Sequence, residues 1–256
     1  MSNITKFVFA SDNHGELACQ DSLAALYEYC RDFKPDIRIG GGDHFDCAAI
    51  RKGAMGEMEG VRSMKADLDA GRHFFARYRP THVLKGNHEY RLEKMGRSHS
   101  SSVVRDYCLD TYSSIKSWAR ASGAKVVLDY RRDVVLRIGP ITAHHGIGSD
   151  LTKMGMFYCR EGGLFLCGHG HHGHQVNLPK LGRGAAYMAP ALADLDALDY
   201  SENTLSAAKH NNGFIAGWFN EAGEWKAWII HRLGDGKWYW QTEIKVFDPK
   251  AKRRHT

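Results

Sequence analysis

The chain has no Cys-x-x-Cys pair, and its six cysteines (Cys19, Cys30, Cys47, Cys108, Cys159 and Cys167) are scattered over 256 residues. An even count alone does not argue for bridges, so the thiols are expected to be free, as in a reducing cytoplasm. No apolar run approaches the ~20 residues that a membrane-spanning helix needs. No secretory signal precedes Phe7, and the expected location is cytoplasmic. Repeats, low-complexity tracts and Pro/Ser-rich linkers are missing, which leaves nothing to mark a flexible junction. A single domain over 1–256 is expected. There is also no Gly-x-Ser-x-Gly and no His-Cys-x5-Arg loop, so no serine or cysteine nucleophile motif is present.

What is present is an ordinary globular balance, 43% apolar and 25% charged. A chain this long buries a sizeable core without disulfides or a structural metal, so any metal it holds is expected to be functional. The formal charge of +6 is mildly basic and raises the local concentration of phosphate-bearing ligands. The tail Lys250-Ala251-Lys252-Arg253-Arg254-His255 is read first as a solvated end and second as a nucleic-acid contact. The fifteen histidines are the unusual feature. Several stand in tight groups beside Gly and Asp, and imidazole is the commonest neutral metal ligand.

Three strand–loop–helix units open the chain. Ile4 to Ala10 reads as a buried strand, ended by the loop Ser11 to Gly15 and a helix from Glu16 to Phe33. A short strand, Ile37 to Ile39, ends at Gly40-Gly41-Gly42-Asp43, and a helix is expected from about Glu57 to Tyr78. A third strand, Thr81 to Leu84, ends at Gly86-Asn87-His88-Glu89. Successive units of this kind predict a mostly parallel sheet covered by helices. Tyr90 to Ser122 reads as helical and longer than a crossover needs, so a helical cap is expected at about 90–122. From Lys125 onward the pattern turns to β: Val126–Leu128, Val134–Ile138, Ile141–Ala143, Leu164–Cys167, Ala185–Met188, Phe214–Phe219, Trp225–His231 and Trp238–Val246. Gly234-Asp235-Gly236 reads as a hairpin turn before the last of these. Two sheets packed face to face, with helices outside, are expected.

The chemistry lies in five clusters, each following an apolar strand-like run. They are Asp12-Asn13-His14-Gly15, Gly42-Asp43-His44-Phe45-Asp46, Gly86-Asn87-His88-Glu89, His144-His145-Gly146 and Gly168-His169-Gly170-His171. In open α/β sheets, sites form in the crevice at the carboxyl ends of the strands, and all five would project there together. Taken singly each has a bland reading. Asp12-x-His14 is a common loop cap, and Asp43 is a turn residue bonded to nearby backbone. Gly168-His169-Gly170-His171 is the strongest, because two histidines at alternate positions can reach neighbouring metals. His172 and His174 keep open a surface loop that binds metal adventitiously.

In this order the clusters resemble the calcineurin-like metallophosphoesterase superfamily, which is marked by DxH, GDxxD, GNH followed by an acid, a His before Gly, and GHxH. The resemblance spans Asp12 to His171; the β-rich part at about 200–256 matches no motif. It implies an α/β fold, a sandwich of two mixed β-sheets flanked by helices (α/β/β/α). Asp12, His14 and His171 would hold one metal; Asn87, His145 and His169 the second; Asp43 would bridge them. His144 is the alternative to His145, which is favoured because it directly precedes glycine. His88 resembles the acid that protonates the leaving oxygen, and Asp46 the residue that orients it. Glu89 stands where Asp is more usual.

The implied cofactors are two divalent metal ions, Mn first, with Fe or Zn as alternatives, since mixed His, Asp and Asn ligation suits these better than Mg or Ca. Such a pair, about 3.5–4 Å apart, activates a bridging water for in-line attack on phosphorus. The implied activity is hydrolysis of phosphate esters by metal-bound hydroxide, without a phospho-enzyme. A nuclease or nucleotide phosphodiesterase is the sharper alternative, motivated by the charge and by Arg91, Arg97 and Arg105. A non-catalytic scaffold is the remote one. Trp218, Trp225, Trp228, Trp238, Tyr239 and Trp240 read as buried sheet core before a partner surface.

Overall fold

β1 (Ile4–Ala10) shows how one short run of residues builds two cores at once. Its alternate side chains point to opposite faces. Phe7 and Phe9 enter one buried cluster, and Val8 and Ala10 enter another. The computed structural model describes residues 3–51, 62–198, 207–234 and 236–240. Within them β1 lies in a six-stranded sheet with β2 (Ile37–Gly40), β3 (His82–Leu84), β4 (Val126–Leu128), β10 (Gly213–Asn220) and β11 (Trp225–His231). β1 to β4 run parallel, whereas β10 is antiparallel to β1 and β11 to β10.

The second sheet has five strands: β5 (Leu136–Ile138), β6 (Ile141–Ala143), β7 (Leu164–Cys167), β8 (His174–Leu178) and β9 (Gly184–Met188), in the order β5-β6-β7-β9-β8. Its centre, β6-β7-β9, is parallel, and its two edge strands are antiparallel. Phe7, Phe9, Ile39 and Leu84 of the first sheet meet Ile141, Leu164, Leu166 and Tyr187 of the second in one cluster. The outer face of the first sheet is covered by α1 (Gln20–Phe33), α2 (Met64–Tyr78) and α4 (Ser102–Ala121), through Leu26, Tyr29, Phe33, Phe74, Phe75, Tyr78 and Ile115. α5 (Leu151–Tyr158) covers the second sheet with Leu151, Met154 and Tyr158 against Phe165, Ala186 and Met188. The result is the expected pair of mixed sheets between helices.

Several element boundaries differ from the sequence reading. The first helix begins at Gln20 rather than Glu16, because His14 (φ 50°) leads into a 3-10 turn over Gly15–Leu17 and Ala18 is extended. α2 begins at Met64, after Ser63, whose hydroxyl accepts the Ala66 N–H at 3.2 Å; residues 52–61, where the expected helix would start, lie outside the described residues. The helical stretch expected at about 90–122 is two helices, α3 (Asn87–Ser98) and α4, broken at His99. α5 and β8 were not anticipated. Asp150 starts α5 by accepting the Lys153 N–H at 2.9 Å. β8 reads His-Gln-Val-Asn-Leu and is an edge strand, so it needs no continuous apolar run.

Residues 241–246 of the expected Trp238–Val246 strand and the basic tail lie outside the described residues. Trp238 does pair with Arg232, but Asp235 of the expected hairpin turn is also outside them. Trp228, Trp238 and Trp240 pack on the helix-side core and Trp225 on the inter-sheet core. All six cysteines are free thiols. Among the described residues, no helix is long and apolar enough to cross a membrane.

Candidate metal centre

Each of the five clusters follows a strand: β1, β2, β3, β6 and β7. Their side chains meet where the carboxyl ends of the two sheets converge. The backbone is forced there. Asp12 (φ 57°), His14 (φ 50°), Asp43 (φ 51°), His169 (φ 69°) and His171 (φ 56°) all adopt the left-handed region. Non-glycine residues reach it at a cost and only where the surroundings over-determine them. The neighbouring glycines are explained by close approach. A Cβ on Gly86 would collide with the Asp43 carboxylate, and one on Gly168 with the carboxylate of Asp12 and the hydroxyl of Ser11.

Among the described residues, three groups have the composition of metal sites, the two triads that follow and His14, Asp46 and His88, which shares His14 with the first of them. Asp12, His14 and His171 bring one ligand atom each within 4.8 Å of one another, and so do Asp43, His145 and His169. In the first, His14 Nε2 lies 3.1 Å from His171 Nε2, which is 3.4 Å from Asp12 Oδ1. In the second, His145 Nε2 lies 3.0 Å from Asp43 Oδ2 and 3.0 Å from Asn87 Oδ1. All but His169 and Asn87 are buried.

The outer partners fix which nitrogen faces inward. His145 Nδ1 bonds the Gly41 carbonyl at 2.9 Å, and His14 Nδ1 bonds Asp46 Oδ1 at 2.8 Å. Both leave Nε2 toward the triads, the arrangement that orients and strengthens imidazole ligands. His144 does the reverse. Its Nε2 reaches the Arg131 carbonyl at 3.0 Å, its Nδ1 accepts the Gly146 N–H at 2.9 Å, and its ring stacks on Tyr158. Of the two adjacent histidines, His145 is the one in the cluster.

His88 stands beside both triads. Its Nδ1 is 3.0 Å from Asp46 Oδ1 and 2.8 Å from the Asp46 carbonyl, and its Nε2 is 3.7 Å from Asp43 Oδ2. Asp46 therefore holds two imidazoles, His14 and His88. Three further residues hold these carboxylates and their loops in place. Asp67, on α2, accepts the N–H groups of Asp46 and Cys47, each at 2.9 Å. Ser11 donates its hydroxyl to the Asp12 carboxylate. Glu89 accepts the N–H groups of Asp43 (3.1 Å), His44 (2.5 Å), Phe45 (3.2 Å) and Gly86 (2.6 Å), lashing two loops together. Asp67 carries no sequence signal beyond its place in a polar helix.

Electrostatics follows from this crowding. Burial works against the charged Asp43, yet His145 and His88 hold its carboxyl well below the usual range. Burial is likewise the largest influence on Asp12 and Asp46, and nearby histidines overcome it and hold both low. His145 is burdened by burial but raised to about 10 by Asp43 first and Asp12 next. Burial pushes His169 down to about 4 and Glu89 up to about 7. The donor set is thus mixed imidazole and carboxylate, buried, oriented and anionic at its centre. Such a set fits divalent metal ions.

A family model for calcineurin-like phosphoesterases matches residues 5–239. Among solved structures, the chain is similar to a 5'-nucleotidase precursor from Thermus thermophilus, with 12% identity and a TM-score of 0.42 over 89% of this chain. The match takes in 54% of that protein, so this chain spans about half its length. No curated protein matches the sequence.

Proposed function

The chain belongs to the calcineurin-like phosphoesterase family, a family of metal-dependent phosphoester hydrolases, and we propose that its centre works with Asp12, His14 and His171 on one ion, Asn87, His145 and His169 on the second, and Asp43 between them. Mn is the first choice of metal, with Fe or Zn as alternatives. When bound, the ions supply Lewis-acid polarisation of the phosphoryl group and lower the pKa of water, the nucleophile. The rest is done by side chains. Asp46 holds the ring of His88 by Nδ1 (3.0 Å) and leaves Nε2 facing the site. His88 hands its proton to the departing ester oxygen. The N-terminus of α3, at Asn87 and His88, adds partial positive charge where the phosphate would sit.

The observation that carries this reading is the pair of triads, buried but for His169, drawn from both sheets and oriented by Asp46 and Gly41. A scaffold has no use for such a set. The Arg-rich segment supports a nucleic-acid substrate less well than its composition suggests. Arg97 is tied to Glu93 at 2.6 Å, and Arg105 to the carbonyls of His99 and Ser100. The test is hydrolysis of p-nitrophenyl phosphate and its bis ester with Mn supplied. Turnover that is abolished by a chelator and restored by Mn is expected. No turnover of either ester by Mn-loaded protein overturns the reading.

A further inference from the structure

Arg91 lies one helical turn beyond His88 on α3, and neither the two triads nor Asp46 requires it. Its Nη1 donates to the Asp46 carbonyl at 2.9 Å, and its Nη2 approaches His88 Nε2 at 3.0 Å. A guanidinium has donors only, so the imidazole nitrogen is the acceptor. Both acceptors are neutral, and Arg91 is half-buried. The neighbouring arginines are neutralised or turned away. Arg131 lies 2.5 Å from Glu93, and Arg97 is held by the same carboxylate at 2.6 Å. Among the described residues, Arg91 is thus a guanidinium without a carboxylate, placed against His88 Nε2, the nitrogen that lies 3.7 Å from Asp43 Oδ2.

A charged acceptor beats a neutral one by roughly twofold in strength, and the planar fork of arginine matches two oxygens of a phosphate. A phosphoryl group arriving at the two triads comes within reach of this fork. We propose that Arg91 is a catalytic residue. It grips the substrate's phosphoryl group on its leaving-group side, exchanging His88 Nε2 for a phosphoryl oxygen as the acceptor of Nη2. The exchange holds the ester in line and frees His88 Nε2 to take up a proton from solvent, the proton it then gives to the departing oxygen, while Nδ1–H stays with Asp46. No covalent step is added. Arg91 stays bonded to the Asp46 carbonyl through Nη1, so His88 and Arg91 share one anchor. The proposal rests on the reading of this centre as a phosphoesterase.

The experiment uses Mn-loaded full-length protein and Arg91→Ala, assayed on p-nitrophenyl phosphate and its bis ester. Inorganic phosphate serves as inhibitor, and millimolar guanidinium as the rescuing ion. Wild-type inactivity on both esters would defeat the phosphoesterase reading itself, before any variant is compared. With an active wild type, Arg91→Ala is expected to lose about 10²–10³-fold in kcat/KM, the range for removing one preorganised donor from a developing anion. Inhibition by phosphate should weaken in parallel, Mn content should stay the same, and guanidinium should restore turnover saturably. A kcat/KM within about threefold of wild type overturns the proposal. So does a loss that guanidinium leaves untouched while phosphate inhibition is unchanged, since a purely structural arginine behaves that way. Arg91→Gln keeps the stem's packing and is judged by the same outcomes should the alanine variant fail to fold.

Discussion

Replacing Asp46 by Asn tests the geometry most directly, because the change is nearly isosteric and removes only charge. In the structure Oδ1 of Asp46 lies 2.8 Å from His14 Nδ1 and 3.0 Å from His88 Nδ1. A hydrogen bond to a charged group contributes about 1.5–3 kcal/mol, against about 0.5–1.5 kcal/mol for a neutral pair. Neutralising the acceptor therefore costs about 1–1.5 kcal/mol at each imidazole, or about 2–3 kcal/mol together. At about 1.4 kcal/mol per factor of ten, kcat/KM should fall about 30- to 150-fold. The loss should divide in a recognisable way. The part acting through His14 shows as weaker Mn affinity, measured by titrating activity and bound metal. The part acting through His88 shows as a larger deficit on an alkyl phosphate than on a phenyl phosphate. Asp46→Ala should cost more, since it removes the carboxylate oxygen that meets His14 Nδ1 and His88 Nδ1 altogether. An Asn variant with wild-type Mn affinity and kcat/KM within about threefold on both esters would refute the reasoning.

Asp43→Asn should abolish turnover and lower Mn content, because its carboxylate faces His145 at 3.0 Å and takes the His88 N–H at 2.8 Å; a variant that keeps two metals and full rate contradicts the bridging role. His88→Ala should cut turnover more for poor leaving groups than for good ones with metal content intact, and equal losses on both would rule it out as the acid. His145→Ala should lose Mn, whereas His144→Ala should keep it and lower the Tm. An unpaired buried N–H costs about 1–3 kcal/mol, and at about 2–4 °C per kcal/mol the drop is several degrees; loss of Mn from His144→Ala instead would reverse the assignment. Metal-stripped protein should be sensitive to alkali. His145 is raised from 6.5 to about 10 by Asp43 and Asp12 against the cost of burial, so that contribution is fully present below pH 6.5 and is lost as the pH rises through about 10. A Tm of stripped protein that stays flat from pH 7 to above 10 would contradict it.

The five clusters were legible because each has a local requirement that the sequence displays: a strand to end, a short loop, and a glycine where a neighbouring side chain comes close. Gly86 against Asp43 and Gly168 against Asp12 make that requirement visible. Position alone chose His145 over His144 in the sequence, but the physical reason, the Arg131 carbonyl and the Tyr158 ring around His144, comes from far along the chain. Glu89 looked like a small departure and is the acceptor for four N–H groups from two loops. Asp67 and Arg91 were beyond reach for a different reason. A carboxylate in a polar helix and an arginine in a basic stretch both look solvated until the fold shows what they touch. β8 was missed because an edge strand is free to be polar, and α5 because its eight residues are too short for a periodic signal among strands.

Both triads draw from both sheets. Asp12 and His14 follow β1 and His171 follows β7; Asp43 follows β2, while His145 and His169 follow β6 and β7. A chain emerging from the ribosome thus makes Asp12, Asp43 and Asn87 long before it can hold either ion. Neither triad closes until β7 has been synthesised and laid against the first sheet. Metal capture reports that the two halves have docked, and any ion bound afterwards staples them. Ions held by these residues would add to the stability that the inter-sheet core already gives, in proportion to their affinity and supply.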